Sequence, residues 1–244
     1  MKKREWMIML LLGCMTLGGC AKEQASMTDN GMAALMQQDY RGAISCFEQS
    51  ILGEENLEED YRGLGLAYMG IGEYEDAVAA FENALAEAGM FPGDLEYDIN
   101  YYMAIAYYKM EEYDAAISVY DTIIDMRPKD TNAYFLRGSM KLYLQDVDGA
   151  VADFDQAVSI GSNDYSLYLD VYDCLKEHGY EAQAQGYLDQ ILLADSKNFS
   201  EYDKGRLAYY NGEYQKACNY LEHVRQNGEA DVKLIMLLGE CYKL

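Results

Sequence analysis

Proline is nearly missing from this chain: Pro92 and Pro128 are the only two in 244 residues. Little therefore interrupts helix. Histidine is as rare, with His178 and His223 far apart and without metal-ligand spacing. No H-E-x-x-H, P-loop, G-x-S-x-G or dinucleotide fingerprint occurs. Carboxylates abound but are scattered, and no apolar pocket is evident to tune them for acid–base work. The reading is a non-enzyme that needs neither cofactor nor metal. Basic residues are also few, 19 against 42 acidic ones, for a formal charge of −23. Such a surface avoids nucleic acid and anionic lipid headgroups, and its simplest consequence is solubility.

Half of the residues are hydrophobic, so the chain can fold, and its length suits one or two domains or one repeat array. A basic start, "MKKREW", precedes an apolar run, "MIMLLLGCMTL", too short to span a bilayer as a mature helix. The run ends in "LGGC", Leu17 to Cys20. Small residues directly before a cysteine at that place resemble the lipobox of bacterial lipoproteins. That resemblance implies a signal peptide over 1–19, lipid attachment at Cys20, a tether over 20–23, and an extracytoplasmic, membrane-anchored location. Losing Lys2, Lys3, Arg4 and Glu5 takes the formal charge from −23 to −25. An ordinary secretory signal with a chance cysteine is the plainer alternative.

Four cysteines remain in the body, Cys46, Cys174, Cys218 and Cys241, none in a C-x-x-C pair. Each sits in an apolar helical pattern and reads as a buried, reduced thiol. A Cys218–Cys241 bridge would need an oxidising compartment and adjacent helices.

The dominant feature is a phrase written again and again: "DYRGAISCF" (39–47), "GEYEDAVAAF" (72–81), "EYDAAISVY" (112–120), "DVDGAVADF" (146–154) and "EYQKACNYL" (213–221). Its alanines are Ala43, Ala77, Ala116, Ala150, Ala184 and Ala217, at steps of 34, 39, 34, 34 and 33. About a dozen residues earlier stands a small residue in most copies: Gly31, Gly65, Ala104, Gly138 and Gly205. Tyr172 breaks that rule in the fifth. Four residues after each alanine comes a large apolar group: Phe47, Phe81, Tyr120, Phe154, Leu188 and Leu221.

A 34-residue period with this spacing resembles the tetratricopeptide repeat (TPR). The second copy matches best, through Tyr61, Leu64, Gly65, Tyr68, Ala77, Phe81 and Ala84, and Pro128 closes the third. The resemblance implies an all-α fold: a right-handed TPR solenoid over 24–244 of about six helix-turn-helix repeats plus a final single helix. The repeats are 24–57, 58–96, 97–130, 131–164, 165–197 and 198–231, with a terminal half-repeat at 232–244. The small residue lets the second helix approach, and the large group fills the gap toward the next copy. Gly72 and Gly212 suit left-handed turns between the helices. Five extra residues after the second copy present Met90, Phe91 and Pro92, and "GEENLEED" (53–60) reads as a solvated loop.

In that family the first helices line the concave face. Carried over, the partner-binding groove takes Arg62 and Leu66, then Tyr101, Tyr102, Ile105, Tyr108 and Lys109. Phe135, Ser139, Leu142 and Tyr143 follow, then Asp170, Asp173 and Lys176, and finally Tyr202, Arg206, Tyr209 and Tyr210. Tyrosine suits peptide binding, and its competing use is packing between helices. The subclass that clamps a C-terminal carboxylate needs asparagines where this chain has Asp29, Gly63, Tyr102, Leu136, Asp170 and Asp203, which excludes it. The implied function is a membrane-tethered scaffold for a protein or peptide partner. The alternative is a cell-wall or carbohydrate binder that stacks sugars on tyrosine. Two further contact sites are expected: Phe91 in the long loop, and a stripe of Ile235, Leu238 and Tyr242 left open by the missing last helix, where a second copy or a partner helix would pack.

Overall fold

The computed structural model describes residues 26–54, 56–89, 93–162, 164–194, 198–228 and 231–243; Cys20, the signal-like segment and Phe91 lie outside the described residues. Thirteen helices and no strand are found among the described residues. They form six antiparallel hairpins: α1 (Met27–Met36) with α2 (Tyr40–Ile51), α3 (Leu57–Ile71) with α4 (Tyr74–Glu87), and α5 (Asp94–Lys109) with α6 (Tyr113–Met126). Then come α7 (Thr131–Tyr143) with α8 (Val147–Ile160), α9 (Tyr165–Glu177) with α10 (Glu181–Leu192), and α11 (Glu201–Tyr210) with α12 (Tyr214–Gln226). A single helix, α13 (Val232–Cys241), packs on the last hairpin. None of the described helices is long and apolar enough to cross a membrane.

One packing device recurs. The six alanines are at most 1% exposed and the six large groups at most 3%. The Phe47 ring fills the space a side chain on Gly31 would need, 2.7 Å from an added Cβ, and also lies against Gly63 of the next hairpin. Phe81 fills the same space over Gly65, Phe154 over Gly138 and Leu221 over Gly205. A helix-interior glycine costs about 1 kcal/mol relative to alanine. Burying the ring contributes about 1.5–3 kcal/mol, so the exchange favours the hairpin. In the fifth hairpin the rule changes: Tyr172 is buried, opposite a helix whose large group is only Leu188, and its ring leans on Tyr210 of the sixth, centroids 4.7 Å apart.

The turns are equally uniform. Gln38, Gly72, Glu111, Gln145, Gly179 and Gly212 each adopt a left-handed backbone, with φ from 59° to 83°. In every hairpin the next residue donates its N–H to the carbonyl five positions back, as from Glu73 to Tyr68 at 3.0 Å and Glu112 to Tyr107 at 2.9 Å. That bond satisfies an otherwise orphaned helix-end carbonyl. Much of the acidity serves the next helix start: Asp39, Asp130, Asp146, Asp164 and Asp231 all cap backbone N–H groups.

A buried charge interrupts the apolar core between the first two hairpins. Asp60 is fully buried; Oδ1 accepts from the Thr28 hydroxyl at 2.7 Å, while Oδ2 has no hydrogen-bond partner. Corresponding positions in the next three hairpins hold Ile99, Ala133 and Leu167.

Two stability effects follow. Glu111 is exposed and sits at φ 61°, so Glu111→Gly is expected to raise unfolding free energy by about 0.5–1 kcal/mol through relief of left-handed strain. Gly72→Ala is expected to lower it by about 1 kcal/mol; urea midpoints at constant slope read both. Asp60→Asn keeps an acceptor for Thr28 and removes the buried charge, with an expected gain of about 1–3 kcal/mol at pH 7. A lower urea midpoint in that variant would show that Oδ2 contributes to the fold.

Candidate functional site: the inner face of the first helices

Except between the third and fourth hairpins, successive first helices lie against one another, whereas successive second helices do not come comparably close. The first helices therefore line the inner curve, where the sequence register puts the groove. Helical spacing carries Tyr101, Tyr108 and Lys109 along one side of α5, and Tyr202, Arg206, Tyr209 and Tyr210 along α11.

Most of these polar groups bolt one repeat to the next. At the first joint Thr28 donates to Asp60, and at the second Arg62 donates to Asp98, with Nε at 3.1 Å. At the third, Tyr101 donates to Asp130 at 2.8 Å, a contact that Tyr97 shares. Ser139 and Cys174 meet at 3.4 Å at the fourth. At the fifth, Ser166 donates to Asp203 at 2.8 Å. Tyr209 donates to Glu240 at the last. Each bond joins residues about one period apart.

Arg206 corrects the sequence reading most clearly. The register offers it to a ligand, yet its side chain is only 3% exposed. It sits 2.7 Å from Asp170 and 2.9 Å from Asp173, and Lys233 of α13 reaches the same Asp173 at 2.8 Å. Burial opposes the guanidinium charge, but Asp170, Tyr210 and Asp173 outweigh it and hold the group above its usual range. Tyr210 donates to Asp173, and burial together with that carboxylate raises its phenol. Tyr202 is pushed up to about 12, chiefly by burial, and its hydroxyl has no partner. These side chains hold the fifth, sixth and terminal units together. Phe135 is likewise used in packing, with its ring 5.7 Å from Phe154. Tyr102 lies parallel to Phe81 at 6.1 Å beneath the Arg62 guanidinium.

The residues left partly open gather around the third and fourth hairpins. Tyr143 is 41% exposed. Its ring stacks on Tyr113 at 4.5 Å with 6° between planes, and its hydroxyl lies 3.2 Å from that of Tyr108. Exposed Lys109 stands 5.7 Å from the Tyr108 ring centre. His178 meets Tyr143 edge-on at 4.7 Å, with Nδ1 2.8 Å from the Cys174 carbonyl, so it is a packed residue and not a free surface one. The hydrogen bond to Tyr108, then burial, raises the Tyr143 phenol, which stays a neutral donor near pH 7. Tyr113 and His178 were not assigned to the groove because Tyr113 opens a second helix and His178 lies just past the end of a first helix. The signal was present: Tyr108, Tyr143 and His178 are spaced by 35 and 35 residues.

Among the described residues no three metal-ligating side chains converge. The four body cysteines are free thiols; burial, then Cys218, pushes the Cys241 thiol up to about 11. The patch is a surface of aromatic faces, hydroxyls and one amine.

Two family profiles, both described as tetratricopeptide repeat, match residues 28–89 and 68–138. No curated protein matches. Among solved structures, a crystal structure of MamA is similar at 21% identity and a TM-score of 0.56, covering 67% of this chain and 93% of that one. A second MamA crystal structure reaches 0.55 at 19% identity, over 84% and 96%. MamA from Desulfovibrio magneticus RS-1 also gives 0.55 at 16% identity, over 68% and 91%. At such identities the likeness concerns the fold. With the interlocked hairpins, the turns and the profile matches in agreement, residues 28–138 carry tetratricopeptide repeats and the fold is that of a tetratricopeptide repeat solenoid.

Proposed function

We propose that the protein is a non-catalytic scaffold, held to the outer side of a bacterial membrane by lipid on Cys20, that binds a protein or peptide partner along its inner curve. Stacked helical hairpins present an extended surface of the kind repeat proteins use for binding. The observation that carries the reading is the Tyr108–Tyr113–Tyr143 cluster, in which Tyr143 is 41% exposed and the Tyr108 and Tyr143 hydroxyls meet each other and not a carboxylate. Tyrosine is a low-entropy anchor for peptide. The lipid anchor is supported by the sequence alone, through "LGGC" at the end of the apolar run.

Two measurements test the proposal. Capture from detergent-solubilised membranes is expected to yield a stoichiometric protein, and Tyr108→Ala/Tyr143→Ala is expected to weaken it about tenfold or more at an unshifted thermal midpoint. Retention on peptidoglycan that the double variant abolishes would replace this reading with glycan binding. Cys20→Ala is expected to leave the membrane fraction or to accumulate unprocessed. A mature-length variant that still sediments with membranes would sink the anchor.

A further inference from the structure

Helices α12 and α13 pack together across a short connection, residues 227–231, so they run antiparallel. Asp231 caps α13, its carboxylate accepting from the Leu234 N–H at 2.7 Å. Leu234, Leu238 and Cys241 are buried against Ala217, Cys218, Leu221 and Val224 of α12. Leu238, which the sequence reading assigned to an open stripe, thus belongs to the covered face. Ile235 and Tyr242 stay outside at 49% and 65% exposed, with the Tyr242 hydroxyl donating to Glu222.

Two thiols meet inside that seam. Cys218 lies eight residues before Gln226, where α12 ends, and Cys241 nine after Val232, where α13 begins. At about 1.5 Å of rise per residue both stand about 12–14 Å from the connection, on one level. The Cys241 thiol has that of Cys218 as a hydrogen-bonding neighbour. Together with Gly212, Tyr214, Lys216 and Tyr242 they line a solvent-open recess of about 740 Å³. Cys46 and Cys174 lie on other hairpins, and Cys174 faces the Ser139 hydroxyl at 3.4 Å. Of the four body cysteines, these two are the pair placed for a bond.

We propose that Cys218 and Cys241 form a thiol–disulfide site: a disulfide entering the recess oxidises them to a single bond that locks α13 onto the sixth hairpin. A thiolate of the pair attacks one sulfur of the incoming disulfide and expels its other half as a thiolate. The second cysteine's thiolate then attacks the protein sulfur of the mixed disulfide, which forms the Cys218–Cys241 bond and expels the remaining half. Two protein thiols give up two protons and two electrons, and the oxidant leaves as two thiols. Burial, then Cys218, holds the Cys241 thiol up at about 11, so it stays protonated near pH 7 and oxidation waits on the exchange partner. The proposed location outside the membrane is one where such a bond persists. The lock reaches the inner curve, because α13 brings Lys233 to Asp173 at 2.8 Å and Glu240 to Tyr209. Both contacts require a seated helix, and closing the loop from 218 to 241 removes states in which it swings away. The site is separate from the tyrosine cluster of the groove.

The test uses the detergent-solubilised full chain, reduced and then equilibrated with oxidised and reduced glutathione at set ratios. Free thiols are blocked with N-ethylmaleimide, and peptide mass mapping reads each cysteine. A linked Cys218–Cys241 peptide is expected, with Cys46 and Cys174 still carrying the block. Amide hydrogen exchange across α13 is expected to slow about tenfold or more on oxidation and to recover with dithiothreitol. Cys241→Ala should abolish both effects. Tyr108→Ala/Tyr143→Ala should leave both in place, which separates failure here from failure of the groove. Two free thiols at every ratio, glutathione held on one cysteine without a bridge, or a bond between two chains overturns the proposal. So does a bridge that leaves exchange in α13 unchanged, since the bond then locks nothing.

Discussion

Everything in this molecule depends on how closely two helices of one hairpin approach. A glycine on the first helix removes the only atoms that would hold the second away, and a ring or leucine from the second occupies the vacated space. Phe47 does so twice, over Gly31 of its own hairpin and Gly63 of the next, so the same side chain closes one unit and joins it to its neighbour. Stability in such a structure is close to a sum of unit and joint terms, and each joint must be satisfied locally.

The polar contacts obey the same constraint at longer range. Because the hairpins stack one after another, a polar group on one hairpin falls opposite a partner about one period away, at joint after joint. This consumes the groups that would otherwise be the obvious ligand contacts. Arg206, with Asp170 and Asp173 around it, trades availability for cohesion, and Lys233 extends the same cage to the terminal helix. A buried guanidinium between carboxylates is a specificity device more than a stabilising one, since desolvation offsets most of the attraction. On the proposed reading, recognition falls to Tyr108, Tyr113 and Tyr143, where the Tyr108 and Tyr143 hydroxyls meet each other and not a carboxylate.

The hairpin architecture was legible in the sequence because it is local. The Ala-to-large spacing of four and the offset of about a dozen to the small residue are fixed by one helix turn and one interhelical turn, and neither needs knowledge of other repeats. Left-handed turns at Gly72 and Gly212 were legible for the same reason, whereas Gln38, Glu111 and Gln145 share that conformation without glycine to announce it. The list of groove residues was legible only as a face. The sequence put Tyr101, Tyr202, Arg206 and Tyr210 on it without showing that each was already bonded or buried.

Tertiary structure alone decided three matters. It paired Arg206 with Asp170 and Asp173, set Tyr113 and His178 against Tyr143, and turned Leu238 inward while leaving Ile235 and Tyr242 outside. All three depend on the angle and rise between successive hairpins. That relation comes from side-chain packing summed across a joint, and no single repeat of 34 residues encodes it. Sequence by itself determined which side chains share a helix face, because 3.6 residues per turn is a property of the backbone.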